Sequence, residues 1–335
     1  MGSCYGFYRK TLFLLSFCLA SNSFSASLFA QTTSIADSLK SIELFQVIRS
    51  GDVTALEKKI KEGANVNATL NSCSALMSVT LNGSAEQMKL LIDHGANVNY
   101  ADKDSLTALW YAIPDWDKTV LLIDHGADIQ MRSKEGYTVL AKLVNFPGTA
   151  KLLQLFIDRG LDPKKCAPDN TLVYEAASSC DTAVLGTLFR SGLKANDTVA
   201  FGDYPINSAL SFRCYDLVKM LVENGANVNV NPSGFRLNAF NGVTPLMYAA
   251  WTNNKRAFLY LLEKGADPNA KSTMGYTPLM FLQQADTDDP EMTLALIKHG
   301  ANVHTKAPDG SDALYFAEKR GNSESVAILK QHINN

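Results

Sequence analysis

One short segment recurs along this chain and limits what it can fold into more than any other feature of the sequence. The segment reads Gly-Ala-Asn-Val-Asn or a close variant. Its clear copies begin at Gly63, Gly95, Gly126, Gly225, Gly265 and Gly300, and weaker copies begin at Gly160 and Gly192. Consecutive glycines lie between 31 and 40 residues apart. Such a period is typical of stacked repeats of one supersecondary unit, because a single unit cannot bury its apolar face alone.

Each copy of the segment follows a stretch that predicts an amphipathic helix, such as Leu90-Leu91-Ile92 before Gly95. The glycine can then adopt the left-handed conformation that ends a helix. Farther upstream, Thr244-Pro245-Leu-Met-Tyr-Ala-Ala predicts the start of another helix, with threonine as the N-cap and proline in the first turn. Each unit therefore predicts a turn, a helix, a second turn, a second helix and an extended finger.

This unit resembles the ankyrin repeat, and the resemblance covers roughly residues 39–335. It implies an all-α fold, namely an ankyrin-repeat solenoid of stacked helix-turn-helix units with extended β-hairpin fingers and about nine repeats, including degenerate caps. One departure concerns the histidine of the family motif, which hydrogen-bonds between neighbouring repeats. Met77, Met247 and Met280 occupy that position here, so we expect weaker polar coupling between units in the same fold.

The first thirty residues have the pattern of a leader. Arg9 and Lys10 precede about ten apolar residues, which is typical of a secretory signal peptide and too short for a membrane span. We expect cleavage after Ala30, with Ser25 as the alternative site and an uncleaved anchor as the rival interpretation.

The expected organisation is a signal peptide over residues 1–30, a linker over 31–38 and an ankyrin-repeat domain over 39–335. The protein would be exported, periplasmic or secreted, without a stable membrane span after cleavage.

Composition and motifs exclude several classes of function. Hydrophobic residues make up 46% of the chain, which argues against a disordered protein. The formal net charge is −2, so nucleic acid is not the expected partner, because nucleic-acid binders carry a basic footprint. No nucleophile elbow, phosphate loop or His-Glu-x-x-His motif is present. We therefore predict no catalytic residue, no enzymatic activity and no cofactor.

Two groups of residues suggest a metal site but have a simpler structural interpretation. His94, His125 and His299 each precede a repeat glycine, where a histidine can interact with the last carbonyls and the dipole of a helix. The acidic run that contains Asp286 and Asp288 is interpreted as a solvated turn rather than a calcium site. The sequence therefore predicts no metal site.

The resemblance implies that a protein partner docks on a concave face made by the finger tips and the ends of the first helices. Aromatic side chains dominate interface hot spots. The unit that ends at Gly265 is also about seven residues longer than the others, and such insertions often lie on the binding face. The expected partner-binding residues are Tyr137, Phe201, Phe212, Phe235, Arg236, Phe240, Trp251 and Tyr276. The alternatives are aromatic packing between repeats and a tolerated surface insertion.

We therefore predict a monomeric, non-enzymatic interaction module or scaffold that binds an unidentified protein partner through its concave surface. The alternatives are an exported effector acting on a host protein and a protective factor of the envelope or periplasm.

Cys180 and Cys214 fall at nearly equivalent turns of adjacent units. Stacked helices lie about 8–10 Å apart, whereas a disulfide needs Cα atoms within about 7 Å. We therefore expect free thiols, with a Cys180–Cys214 disulfide as the alternative.

Overall fold

The computed structural model describes residues 35–167, 171–197, 203–231 and 242–334. The chain divides into two compact units, one extending to Lys134 and the other beginning at Glu135. The expected leader and its cleavage sites lie outside the described residues. So do four of the expected binding residues, Phe201, Phe235, Arg236 and Phe240.

The described part of the first unit holds three pairs of helices. They are α1 (Ile35–Ser50) with α2 (Val53–Lys61), α3 (Ala75–Asn82) with α4 (Ala85–Asp93), and α5 (Ala108–Ala112) with α6 (Trp116–Asp124). Helix α1 begins within the segment 31–38, which was expected to be a linker.

The described part of the second unit holds six pairs, and it also contains a 3₁₀ turn over Pro163–Lys165. The pairs are α7 (Val139–Leu143) with α8 (Ala150–Asp158), α9 (Leu172–Ser178) with α10 (Thr182–Arg190), α11 (Pro205–Ser211) with α12 (Tyr215–Glu223), α13 (Pro245–Trp251) with α14 (Lys255–Glu263), α15 (Pro278–Gln283) with α16 (Pro290–Lys298), and α17 (Ala313–Arg320) with α18 (Ser323–Ile333). The predicted all-α array of about nine paired-helix repeats is thereby confirmed.

The expected caps begin the first helix of several repeats. The hydroxyl oxygens of Ser74, Thr244 and Thr277 each accept a hydrogen bond from the backbone N–H three residues later, at 3.2–3.4 Å. The second helices begin with a different set of polar caps, among them Asp52, Ser84 and Asp181. Each cap satisfies an N–H group that would lack a partner at the start of a helix.

The repeat glycines end the second helices in the left-handed conformation, with φ of 86° at Gly95 and 90° at Gly300. The turn between the two helices often has the same conformation without a glycine. Cys180, Arg213 and Asn253 adopt φ values of 57°, 57° and 48° there. The geometry of the array thus holds the backbone of these three residues in a region of φ and ψ that residues with a Cβ rarely occupy.

The fingers differ in detail from the expected hairpins. Within the described residues, a two-stranded ladder forms where β1 (Thr69–Leu70) pairs antiparallel with β2 (Cys73–Ser74). Other fingers close with two backbone hydrogen bonds at a turn. In one of them, the Ser272 N–H donates to the Tyr276 carbonyl oxygen at 3.0 Å and the Gly275 N–H donates to the Ser272 carbonyl oxygen at 2.8 Å.

Each unit has an apolar core that comes from the facing sides of its helices. Phe156 and Phe258 are fully buried, and so are many of the leucines. Met77, Met247 and Met280 are also at most 1% exposed. At the position of the family's histidine, the chain therefore has flexible apolar side chains that fill the core.

Candidate functional site

An asparagine in the finger connects each of several repeats to the next. The amide of Asn99 donates to the carbonyl oxygen of Gly126 at 3.0 Å, and its Oδ1 accepts from the backbone N–H of Asp128 at 2.7 Å. Asn67, Asn196, Asn229 and Asn269 make the same pair of bonds with their following repeats. We call these five residues the asparagine ladder.

The asparagine ladder revises the expectation of weak polar coupling. The recurrent Asn-Val-Asn is visible in the sequence, and its regular spacing is the signal that could have identified these bonds. One asparagine side chain can both donate and accept, so it satisfies two backbone groups of the next repeat at once. The asparagine ladder therefore provides polar coupling between repeats at the fingers, without the family's histidine.

Phe212 and Trp251 lie at the ends of two neighbouring first helices in the second unit. The exposed fraction is 50% for Phe212 and 41% for Trp251. The Trp251 ring packs edge-on against Tyr248, with ring centroids 6.1 Å apart, and the hydroxyl groups of Ser211 and Tyr248 are hydrogen-bonded at 2.9 Å. The three aromatic residues Phe212, Tyr248 and Trp251 are called the aromatic surface below.

Tyr276, expected from the sequence to bind a partner together with Phe212 and Trp251, has a different environment. Its ring packs edge-on against Phe281 and Phe316, and its hydroxyl group donates to Asp309 at 3.1 Å. This contact with Asp309, on the next finger, favours the alternative of packing between repeats. Tyr137 is also half-buried.

Some exposed apolar side chains were not selected from the sequence. Met274 is 48% exposed and Tyr315 49% exposed. Tyr315 lies on helix α17, and the Lys319 ammonium group is 5.5 Å from the centroid of its ring. The aromatic content of the first helices was the signal that could have identified Tyr315.

Cys180 and Cys214 form a disulfide, with Cα atoms 5.4 Å apart. The expectation of free thiols at these positions was therefore wrong, and the alternative is what the structure has. The expectation relied on the distance between helix axes, but both cysteines lie in turns, where the backbones of adjacent repeats approach more closely. Two other described cysteines, Cys73 and Cys166, lie outside this bridge.

Several ionisable groups of the second unit are removed from water. Burial raises the pKa of Asp203, although its carboxylate accepts hydrogen bonds from the Asn207 amide at 2.8 Å and the Tyr174 hydroxyl at 3.1 Å. Burial likewise raises the pKa of Glu175 and lowers that of Lys142 to about 8. Desolvation disfavours the charged form in each case.

The two groups that suggested a metal site have structural partners. The Nδ1 atoms of His94, His125 and His299 each lie 2.8 Å from the carbonyl oxygen four residues upstream. This confirms their interpretation as helix-terminal residues. In the acidic turn, the Asp288 carboxylate accepts from the backbone N–H of Glu324 at 3.0 Å.

Within the described ranges, no group of three or more His, Cys, Asp or Glu residues could hold a metal ion. In those same ranges, no helix has both the length and the apolar character to cross a membrane.

Comparison with known proteins gives the chain a family context. A family model described as ankyrin repeats in three copies matches residues 44–133 and 173–272, which together are more than half of the chain. The chain is 31% identical over 121 residues to the B-cell lymphoma 3 protein homolog of Mus musculus, covering 36% of this chain and 26% of that protein.

Two further relatives show similar levels of identity. Alpha-latrocrustotoxin-Lt1a of Latrodectus tredecimguttatus is 31% identical over 140 residues, or 41% of this chain and 9% of the toxin. The ankyrin repeat protein L371 of Acanthamoeba polyphaga mimivirus is 30% identical over 149 residues, or 44% of this chain and 19% of that protein. The matched segments span about a quarter or less of these relatives' lengths.

Proposed function

This chain belongs to the ankyrin-repeat family, and from that premise we propose that it is a non-enzymatic interaction module that binds a protein partner through the aromatic surface. Ankyrin repeats typically mediate protein–protein interactions, and the family model that matches this chain consists of ankyrin repeats. The module would act as a monomer by rigid docking, without a covalent step.

The observation that carries this proposal is the exposure of Phe212 and Trp251 at corresponding ends of adjacent helices. Large aromatic side chains tend to be buried. Phe212 and Trp251 are about half exposed, and aromatic residues of this kind contribute much of the free energy of binding at protein interfaces. The bond between Ser211 and Tyr248 connects helices α11 and α13, and it fixes the geometry between repeats at this surface. A prearranged surface loses less side-chain entropy when a partner binds.

Affinity capture with the full chain tests the proposal. We expect the Phe212→Ala, Trp251→Ala double variant to lose capture of its partners while its helical circular dichroism is unchanged. Trp116→Ala is the matched control, because Trp116 is 47% exposed but lies on helix α6 of the first unit. Capture that survives in the double variant, or that is lost equally in the control, contradicts this role of the aromatic surface.

We further propose that the protein is exported, to the periplasm or to the medium, after removal of residues 1–30. The basic residues followed by the apolar run at the start of the sequence support export. The disulfide between Cys180 and Cys214 also supports it, because disulfides persist mainly in oxidising compartments. Sequencing the N-terminus of the mature protein should give Gln31 as its first residue, or Ala26 if cleavage follows Ser25. A protein that still begins at Met1 would contradict processing.

Two more specific roles remain alternatives within this proposal, an effector acting on a host protein and a protective factor of the envelope. Fractionation distinguishes them, because an effector should appear in the medium and a protective factor in the envelope fraction.

A further inference from the structure

In the second unit, the turn between the two helices of one repeat is often bonded to the corresponding turn of the next repeat. The backbone N–H of Gly148 donates to the Asp181 carboxylate at 2.6 Å. Farther along, the Arg213 guanidinium donates to the carbonyl oxygen of Asn253 at 3.3 Å. Such hydrogen bonds between turns are noncovalent and reversible.

Between Cys180 and Cys214 the corresponding connection is covalent. The two residues are 34 positions apart, about one repeat period. Cys180 has the left-handed conformation in its turn, and Arg213 has it in the next turn, so Cys214 is displaced by one residue from exact equivalence. The connection at this pair of turns is therefore permanent until the disulfide is reduced, whereas the hydrogen bonds between the other turns can break and re-form.

The two sulfur atoms have unequal environments. Cys180 is exposed, whereas Cys214 is only 8% exposed. The rate of thiol–disulfide exchange depends on access to the sulfur that is attacked. An external thiolate would therefore attack the exposed Cys180 sulfur, and Cys214 would leave as the thiolate.

The disulfide also adjoins the aromatic surface. The carbonyl oxygen of Phe212 lies 3.4 Å from Cys214 Sγ and 3.9 Å from Cys180 Sγ. The exposed ring of Phe212 is thus carried by backbone that the bridge holds against the preceding repeat. Opening the bridge would release this turn, since the thiols that remain are weak hydrogen-bonding groups.

We propose that the Cys180–Cys214 disulfide is a thiol-exchange site for dithiol reductants, and that its opening loosens the two turns that present Phe212. The first reductant thiolate bonds to Cys180 Sγ as the S–S bond breaks, and the electron pair leaves with Cys214. The second reductant thiolate then displaces Cys180. The reductant is oxidised to its disulfide, and the protein gains two electrons and two protons. Any consequence for partner binding rests on the proposed function, whereas the exchange and the loosening do not.

Dithiothreitol treatment of the folded full chain tests the proposal, with alkylation and peptide mass analysis to identify free thiols. We expect Cys180 and Cys214 to become alkylated without denaturant. Amide hydrogen exchange in α9, α11 and the turn at Phe212 should accelerate about tenfold or more on reduction, while exchange in α15 and α16 stays unchanged. A bridge that resists dithiothreitol until the chain is denatured overturns the proposal, and so does unchanged exchange after reduction.

Two variants sharpen the test. Cys214→Ser cannot form the bridge, so its amide exchange should match that of the reduced protein and should not respond to dithiothreitol. Cys73→Ser is the matched control, because it removes a cysteine outside the bridge and keeps the bridge. If Cys214→Ser does not fold, the reduction of the unaltered chain decides the matter alone.

The thiol-exchange site and the proposed function can also fail separately. Faster amide hydrogen exchange on reduction, combined with normal partner capture by Phe212→Ala, supports the thiol-exchange site and contradicts partner binding through Phe212. Unchanged amide hydrogen exchange on reduction, combined with lost partner capture by Phe212→Ala, contradicts the thiol-exchange site and supports partner binding through Phe212.

Discussion

Removing one side chain of the asparagine ladder should destabilise the protein measurably even though the residue is solvent-accessible. Asn269 is the clearest case. Its amide donates to the carbonyl oxygen of Gly300 at 2.7 Å, and its Oδ1 accepts from the backbone N–H of Asn302 at 2.7 Å. The change Asn269→Ala eliminates both bonds and leaves the apolar core unaltered.

The magnitude follows from the number of bonds and their exposure. A neutral hydrogen bond contributes roughly 0.5–1.5 kcal/mol net, and water can replace part of that at an exposed site. We therefore expect Asn269→Ala to lower the free energy of unfolding by about 1–2 kcal/mol. Urea denaturation followed by circular dichroism measures this as a lower midpoint at an unchanged slope.

His304 provides the matched control, because it occupies the same position in the following repeat and is also exposed. Its backbone N–H donates to Asn302, and that bond survives truncation of the side chain. We expect His304→Ala to change stability by about 0.5 kcal/mol or less, as is usual for surface substitutions. Equal effects of Asn269→Ala and His304→Ala would refute the reasoning that the ladder couples the repeats.

Three further outcomes are expected. The pKa of Asp203 is raised in the folded state. The protein should therefore lose stability, relative to Asp203→Asn, as the pH rises from the ordinary pKa of 3.8 through the higher folded pKa. Parallel plots of the free energy of unfolding against pH for the two proteins would contradict this. Lys142→Met should stabilise the protein by about 1–3 kcal/mol at pH 7, and the gain should shrink between about pH 8 and 10.5, as urea titrations at several pH values would show. Thr244→Ala should lower the free energy of unfolding by about 1 kcal/mol, because it removes the N-cap of α13, and Thr244→Ser should lower it less. Thermal melts of the two variants measure this difference.

Much of the fold could be predicted from local sequence. A glycine that must adopt positive φ and a threonine that caps a helix act within a few residues, so Gly95 and Thr244 identify helix ends without reference to the rest of the chain. The period of these signals then gave the number of helix pairs. The conformation at Arg213 was less predictable, because the surrounding array, rather than its own preference, holds it at positive φ.

The candidate site was predicted less well, because exposure depends on what neighbouring repeats cover. Trp251 and Tyr276 appeared equivalent in sequence, yet Trp251 is 41% exposed while Tyr276 packs between Phe281 and Phe316. The disulfide was misjudged for a related reason. The distance between Cys180 and Cys214 depends on how two turns approach each other and not on the spacing of helix axes.

Hydrophobic periodicity and backbone preferences act over short stretches of chain, so the repeated unit, its helices and their caps could be predicted from the amino acids alone. The connections between units depend on how the repeats pack. The Asn99 side chain bonds the backbone 27 and 29 residues away, and the Cys180–Cys214 bridge spans 34. These contacts require the finger or turn of one repeat to lie against the next, and no local preference specifies that placement.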